Sequence, residues 1–274
     1  MNYKIFPEKL YHYCSMAAFK SIIENKCFWL SFTENTNDAT ELKICRDIVY
    51  ACLVDLIKEE KISQDRADAI WRTYNGNSTH GYIACFSEDG DLLNQWRSYA
   101  DDGNGVAICV DFNRLNVKDS LPSYTYNEDH KYVGKKVEYA DDYFCDNFRT
   151  LVKENYDINA DGGFYNFLAL TKLSYSVKHY AFKDEREWRI IHLPMLLFNE
   201  NSYNVIDTPD TSSAKFRVIR NQLLSYFEFT IVEDSVVEVV LGPKNKSNVL
   251  DLKLFLSLNG YKKAIVKKSG IPYQ

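Results

Sequence analysis

Hydrophobic positions along the chain switch repeatedly between strand-like and helix-like spacing. In the first half, short apolar or alternating runs predict strands at 9–14, 28–31, 81–87, 106–112 and 131–139. Apolar residues three and four positions apart predict helices at 15–25, from Asp38 or Thr40 to about 60, and at 63–74, 91–99, 141–156 and 163–180. Ser15 suits the position before the first of these helices, because its hydroxyl can accept a hydrogen bond from a free backbone N–H.

The last third of the chain continues this mixture. A strand begins at Glu187, a polar loop follows at 199–214, and further strands are predicted near 216–220, 225–232 and 236–241. Ser247 is predicted to cap a helix that ends at Gly260, with a final strand at 264–267. Because strands and helices do not alternate strictly, the pattern favours an α+β fold with mixed, largely antiparallel sheets and flanking helices. Without repeats or a linker, residues 1–274 are expected to form a single domain.

Composition narrows the class of protein. The chain is 46% hydrophobic and 15% aromatic, enough for a full core, and its net charge of −5 gives no global basic field for nucleic acid. Its seven cysteines lack C-x-x-C spacing, so we expect buried free thiols in a reducing compartment. The N-terminus has no signal-like pattern and no run reaches ~18 apolar residues, so we expect a cytoplasmic protein without a membrane span.

The segment Ala181–His192 combines many charges with an apolar strand. Alternation divides its side chains between two faces, with Glu185, Glu187 and Arg189 on one and with Arg186, Trp188 and Ile190 on the other. Charged side chains on a strand that is expected to be buried destabilise the fold unless they form ion pairs, so an unpaired charge there suggests a role in binding or catalysis. The segment is therefore either a structural Glu–Arg network or a functional site.

Other polar residues are candidates for chemistry. His12 lies between two tyrosines, where it can bind a ligand hydroxyl while Tyr13 stacks on a ring, although His12 taken alone fits a structural His better. Asn37, Asp38 and Glu41 form N-D-x-x-E, which also fits a simple helix start. A strand–turn–helix unit carries a further set of candidates: Ser87, Gln95, Trp96 and Tyr99.

Several common sites are not predicted. The remaining histidines, His80, His130, His179 and His192, have no ligand spacing, so no metal is expected. The chain also lacks the glycine-rich motifs of P-loop and dinucleotide-binding proteins and the G-x-S-x-G of hydrolases.

The motifs together resemble those of one bacterial family of unknown function, scattered among prokaryotic genomes. They are L-Y-H-Y, W-L-S with N-D-A-T-E, C-F-S-E with N-Q-W-R-S-Y-A and G-V-A-I, F-K-D-E-R-E-W-R, L-G-P and S-G-I-P-Y. Their order along residues 10–273 carries the resemblance, and the family implies no activity.

A second resemblance rests on Y-H-Y-C-S-M-A-A-F-K-S-I-I-E-N-K-C-F-W-L-S near the N-terminus. It is similar to the first motif of ADP-ribosyltransferases, with DNA-modifying toxins and the RNA phosphotransferase branch the nearest in pattern. The resemblance implies an ADP-ribosyltransferase-like core, with NAD as substrate. By this resemblance His12 would hold the NAD ribose, Glu187 would be the catalytic carboxylate and Glu185 the preceding acid of an E-x-E pair.

The same resemblance leaves the remaining roles open. Ser87, Trp96 and Tyr99 are alternatives for the central position beside the nicotinamide. Arg189 is a candidate for binding the pyrophosphate in bidentate fashion. Gln95 completes the expected NAD-binding set, together with Tyr13.

Three functions follow as hypotheses. The first is an NAD-dependent ADP-ribosyltransferase or NAD glycohydrolase that acts as an intracellular toxin or antiphage effector on an unknown nucleic-acid or protein acceptor, with a neutralising antitoxin or other protein as a possible partner. The second is a nucleic-acid-binding or -processing protein, suggested by seven Lys against only Asp251 in residues 244–268, a pattern that a solvated surface also explains. The third is a non-enzymatic sensing or interaction module in which the Glu–Arg cluster is structural.

Overall fold

A computed structural model describes residues 6–33, 41–77, 81–120, 131–157, 159, 163–194, 197–198, 205–206, 208–219 and 221–273. The proposed helix start at Asn37 and Asp38, and also His80 and His130, lie outside these residues.

Strands and helices are mixed along the described part of the chain. The strands are β1 Leu10–Cys14, β2 Cys27–Phe32, β3 Tyr82–Ser87, β4 Val106–Val110, β5 Val133–Lys136, β6 Glu138–Ala140, β7 Val177–His179, β8 Glu187–His192, β9 Leu197–Phe198, β10 Val205–Ile206, β11 Lys215–Ile219, β12 Gln222–Thr230, β13 Val236–Leu241 and β14 Ile265–Lys268. The helices are α1 Met16–Asn25, α2 Glu41–Lys58, α3 Gln64–Asn77, α4 Leu93–Tyr99, α5 Asp142–Asn155, α6 Gly163–Leu173, α7 Pro209–Ser213 and α8 Val249–Leu258.

Ten strands form one sheet. Its main path has the order β11-β12-β2-β3-β1-β4-β13-β14, and β8 branches from β3 and carries β5 on its other side. Every pairing in this sheet is antiparallel except β13 with β14. The prediction of an α+β fold with a largely antiparallel sheet and flanking helices is therefore confirmed.

The buried apolar residues form two large cores and two smaller clusters in the described part of the chain. Buried residues of α1 and α8 pack with the strands in one core that contains Phe19, Ile23, Leu252 and Leu256. A second core lies among α2, α3, α5 and α6 and is almost entirely helical. Two smaller clusters lie on the opposite side of the sheet strands from the first core, around Trp96 and around Tyr175, Leu193 and nearby strand residues.

The helix ends follow from local hydrogen bonding. Ser15 caps α1 as predicted, and its Oγ accepts from the Ala18 N–H at 3.2 Å. The predicted cap of α8 is wrong by one residue, because Asn248, not Ser247, supplies the acceptor, with its Oδ1 2.9 Å from the Leu250 N. Gly260 follows that helix with a φ of 98°, a conformation that favours glycine.

Two predicted elements near the centre of the chain differ from the structure. The helix predicted for 163–180 ends at Leu173, and β7 follows after one 3₁₀ turn and pairs in parallel with β6. The strand predicted for 131–139 is divided at Val137, whose N–H donates to the Glu187 carbonyl oxygen at 2.9 Å. The polar loop predicted for 199–214 contains the short helix α7, capped by Thr208.

The seven cysteines are free thiols. Five of them are buried, whereas Cys85 and Cys145 are partly exposed. None of the helices in the described part of the chain combines the length and the hydropathy that a membrane span requires.

Candidate functional site

The strand pair β3–β8 places Glu187 next to the residues predicted with it. Glu187 lies opposite Ser87, and Arg189 lies opposite Cys85, in an antiparallel register. Tyr11 of β1 is in turn paired with Ser87. Because residues directly opposite each other in a sheet share a face, these five side chains extend to the same side.

Four charged side chains meet on this face, and we call Lys178, Glu185, Glu187 and Arg189 the acid–base cluster. Arg189 Nε donates to Glu187 Oε1 at 2.7 Å, and Lys178 Nζ donates to Glu187 Oε2 at 2.9 Å. The same Lys178 Nζ donates to Glu185 Oε2 at 2.6 Å. All four residues are buried, with exposed fractions between 1% and 7%.

Polar neighbours complete the hydrogen bonding of both acids. Tyr99 Oη donates at 3.0 Å to Glu185 Oε1, the oxygen that Lys178 does not contact. Ser87 Oγ donates to the Glu185 backbone carbonyl at 2.7 Å. The backbone N–H of Glu187 donates to Tyr139 Oη at 2.8 Å. Each carboxylate oxygen of the cluster therefore has a partner, as buried polar atoms require.

The charges in the cluster stabilise each other. Burial by itself raises the pKa of Glu187, but Arg189 and Lys178 outweigh it and lower that pKa to about 2. Burial lowers the pKa of Lys178, but Glu187 and its other neighbours raise that pKa well above its ordinary value. Glu187 and Lys178 are therefore both charged at neutral pH, and the formal charges of the four side chains cancel.

Glu185 reaches the cluster by a different route from the one predicted. Residues Tyr180–Glu185 form a 3₁₀ helix, and Arg186 has a left-handed φ of 46°, so Glu185 is not part of β8. The expectation that strand alternation aligns Glu185 with Glu187 is therefore wrong. Within β8 the alternation is correct, because Trp188 and Ile190 contribute to the core on the opposite face.

The candidates on α4 have different positions. Tyr99 contacts the cluster directly, whereas Trp96 is fully buried, with its Nε1 donating to Asp91 Oδ1 at 2.7 Å. Tyr13 packs edge-on against Trp96, with ring centroids 4.8 Å apart. Gln95 is also buried on this helix. Trp96 and Tyr13 therefore form a core contact that holds α4 against β1, and neither ring is available for stacking on a ligand.

His12 lies on the other face of the sheet. Its Nδ1 is 2.9 Å from the Cys85 carbonyl oxygen, and its ring packs against Phe28 and Phe86 at centroid distances of 5.0 and 5.5 Å. Burial lowers the pKa of its imidazole. The structure therefore does not bring His12 together with Glu187, in contrast to the arrangement that the resemblance to ADP-ribosyltransferases implied.

Sequence reasoning missed three members of this site. The sequence pattern predicts a helix that includes Lys178 and an undivided strand that ends at Tyr139. The thiol of Cys85 hydrogen-bonds Glu187 and helps to lower its pKa, whereas the sequence predicts only a free cysteine there. Lys178 follows the segment Ser174–Val177, which is buried although two of its four residues are serines, so the local sequence does not single Lys178 out.

A pocket of about 310 Å³ lies next to the cluster, between α5 and the β6–β7 pair. Tyr139 lines this pocket and also binds the Glu187 backbone. Aromatic rings line much of the pocket, including those of Phe144 and Phe148, and its acids are Glu138 and Asp141. The volume and lining suit one aromatic ring, whereas the acids disfavour a pyrophosphate.

The described residues contain no group of three or more His, Cys, Asp and Glu side chains arranged to hold a metal ion. The positive charges nearest to the two acids are instead the ammonium of Lys178 and the guanidinium of Arg189.

Comparisons with known proteins add one finding. Residues 95–190, about a third of the chain, match the model of a family described as protein of unknown function (DUF2971). Neither the curated proteins nor the solved structures contain a match to this chain. The resemblance to an uncharacterised family is thus supported over a shorter stretch than 10–273, and none of the comparisons supports the resemblance to ADP-ribosyltransferases. The chain is similar to DUF2971 over the segment that carries the whole acid–base cluster.

Proposed function

We propose that the acid–base cluster is the active site of an NAD-dependent ADP-ribosyltransferase or NAD glycohydrolase. The observation that carries the proposal is the burial of two acids and two bases together at the start of one strand. Apolar residues in place of such buried ion pairs are often neutral or stabilising for a fold, so stability alone does not require them. Buried groups with strongly perturbed pKa values are instead typical of functional sites.

The chemistry needs a carboxylate that stays ionised. The bond between C1′ of the ribose and the nicotinamide nitrogen breaks, and neutral nicotinamide leaves with the bonding electron pair. The ribosyl cation that remains has oxocarbenium character, and a nearby carboxylate stabilises its charge. Water or an acceptor then attacks C1′ and loses a proton. The low pKa of Glu187 suits this role throughout the physiological pH range.

Lys178 couples substrate binding to this chemistry. It is shared between Glu185 and Glu187, whereas Arg189 pairs with Glu187 and also donates to the Tyr175 carbonyl oxygen at 2.9 Å. A phosphate oxygen that pairs with the Lys178 ammonium competes with its bonds to both acids, and a carboxylate oxygen released in this way can face the ribosyl cation. Of the alternatives for the residue beside the nicotinamide, Tyr99 suits the role best, because its hydroxyl contacts Glu185 and its ring is only partly buried. His12 has no part in this site.

The test is nicotinamide release from NAD, measured with and without DNA, RNA and bacterial protein as acceptors. Glu185→Gln is the informative variant, because Gln keeps hydrogen-bonding atoms for Tyr99 and Lys178 but removes one negative charge. Asp184→Asn is the matched control, since it removes the same charge from an exposed residue in the same turn. We expect release by the wild type and the control and at least a tenfold loss in Glu185→Gln.

Two results would overturn the proposal. One is no release by the folded wild type with any of the acceptors. The other is equal release by the wild type and by Glu185→Gln. A role as an intracellular toxin or antiphage effector belongs to the same proposal, and it predicts that expression of the wild type depletes cellular NAD while Glu185→Gln does not.

The second candidate is a sensing or interaction module in which the cluster is structural. The observation that favours it is that all four carboxylate oxygens already have partners and the charges cancel. This alternative predicts that Glu185→Gln lowers the free energy of unfolding and that NAD leaves the melting temperature unchanged.

A further inference from the structure

The pocket between α5 and the β6–β7 pair, which we call the α5 pocket, has an apolar inner part. Phe148 and Val177 line it and are each 1% exposed. Phe144 stacks on Phe148, with ring centroids 5.8 Å apart. The Ser176 hydroxyl also lines the pocket, but its proton is already donated to the Leu173 carbonyl oxygen at 2.9 Å. The inner part of the pocket is therefore suited to an apolar group.

The outer part of the same pocket is acidic. Glu138 and Asp141 are both exposed, and they are the only charged residues that line the pocket in the described part of the chain. One oxygen of Asp141 accepts from the Phe144 N–H at 2.8 Å and caps α5. Neither carboxylate forms an ion pair with a residue that the structure describes. Two carboxylates without a counter-cation create a negative potential at the opening of the pocket.

An aromatic ring lies at this opening as well. Tyr143 lines the pocket and is 77% exposed, so its ring is open to solvent. The face of an aromatic ring attracts a cation, most of all a cation with organic substituents. The opening of the pocket therefore combines two kinds of group that favour positive charge.

We propose that the α5 pocket binds a small organic cation, an ammonium group attached to an apolar body of about one ring. The apolar body lies against Phe148 and Val177, and the ammonium group lies at the opening beside Glu138, Asp141 and Tyr143. The pocket volume of about 310 Å³ is at the lower end for ligand sites and limits the ligand to this size.

Other ligands fit this arrangement less well. A neutral ring would use the apolar part of the pocket but not the carboxylates, and an anion would be repelled by them. A metal ion is disfavoured, because the described residues contain no group of three or more side chains arranged to hold one. The lysine side chain of another protein would carry its charge at the tip, so its ammonium would meet the apolar inner part of the pocket.

This inference does not depend on the proposed enzymatic activity. None of the four residues of the acid–base cluster is among the described residues that line the α5 pocket. The two sites adjoin at Tyr139, whose ring lines the pocket and whose hydroxyl accepts from the Glu187 N–H. A failure of NAD to bind would therefore leave the prediction for the α5 pocket unchanged.

The experiment is an amide NMR titration of the full chain with three probes that share one ring and differ in charge. They are 2-phenylethylamine, which is protonated at neutral pH, 2-phenylethanol and phenylacetate. We expect the amine to bind at least tenfold more tightly than the alcohol and to shift amides of α5 and of the β6–β7 pair. Phenylacetate should not bind.

Substitutions separate the contributions to binding. Glu138→Gln and Asp141→Asn each remove one charge, and Asn still caps a helix well, so α5 keeps its start. Each should weaken amine binding several-fold, and the double variant at least tenfold. The matched control is Glu154→Gln, which changes an exposed acid of α5 that does not line the pocket and should leave the Kd unchanged.

Two further variants test the shape of the site. Asn147 is exposed and lines the pocket, so Asn147→Trp should fill the space and abolish binding without disturbing the core. Tyr143→Leu should weaken binding, whereas Tyr143→Phe keeps the ring and should bind as the wild type does.

Four results would overturn the proposal. They are no binding of the amine to the folded wild type, equal Kd values for the amine and the alcohol, an unchanged Kd in the double variant of Glu138 and Asp141, and full binding by Asn147→Trp. Circular dichroism and melting temperature confirm that each variant is folded before its Kd is compared.

Discussion

Replacing Glu187 with Gln removes one of the two anions that neutralise Lys178 and Arg189. Both cations are at least 95% buried, and both of their contacts to Glu187 are shorter than 3 Å. Breaking a buried ion pair by removing one partner destabilises a protein by about 3–5 kcal/mol, because the other charge stays buried without compensation. We expect a loss in this range, which is large against the ~5–15 kcal/mol that stabilises a typical domain.

The pKa of Glu187 makes this contribution dependent on pH. Its value falls from 4.5 to about 2 in the folded protein, and a difference of this size corresponds to about 3 kcal/mol. Because the folded pKa is the lower one, this stabilisation is present above pH 4.5 and is lost as the pH falls towards 2. Glu187→Gln should remove this part of the pH dependence.

Urea unfolding of the wild type and of Glu187→Gln at pH 7 and pH 3 measures both effects. The difference between the two proteins should be about 3–5 kcal/mol at pH 7 and smaller at pH 3. Asp184→Asn is the control and should stay within ~0.5 kcal/mol of the wild type, because Asp184 is exposed. A loss below ~1 kcal/mol at pH 7, or a difference that does not shrink at pH 3, would refute the buried ion-pair network.

Further predictions concern individual contacts. Tyr99→Phe removes the hydrogen bond to Glu185, so it should lower the free energy of unfolding by about 1 kcal/mol and reduce nicotinamide release, both measured on the same preparation. Asn248→Ala should destabilise by about 1 kcal/mol in urea unfolding, because it removes the cap of α8, whereas Ser247→Ala should change stability by less than ~0.5 kcal/mol. Gly105→Ala places a Cβ 2.1 Å from a backbone carbonyl oxygen, so a loss of at least ~1–3 kcal/mol is expected, and an unchanged melting temperature would contradict the packing there.

Much of the fold follows from local pattern. The alternation over 106–112 predicts β4, although the strand itself ends at Val110, and Ser15 predicts the start of α1. The irregular order of strands and helices predicts an antiparallel α+β fold. These features depend on residues close together in the sequence, so they can be predicted from a single sequence.

The site depends on contacts that a single sequence does not contain. Lys178 lies in the three-residue strand β7, which forms by pairing with the distant strand β6. In the sequence alone, the helical spacing of apolar residues in α6 continues through these positions and predicts a helix. Alternation shows that His12 and Tyr11 face opposite sides, but only the register from Tyr11 through Ser87 to Glu187 shows which of them shares a face with the acids. That register joins three strands far apart in the chain.

The most direct test of the central claim is a calorimetric titration of NAD into the wild type, Glu185→Gln and Asp184→Asn. If the acid–base cluster is an NAD site, the wild type and Asp184→Asn bind NAD with the same Kd, and Glu185→Gln changes that Kd at least tenfold while remaining folded. No heat of binding with the folded wild type, or the same Kd for all three proteins, would contradict the account.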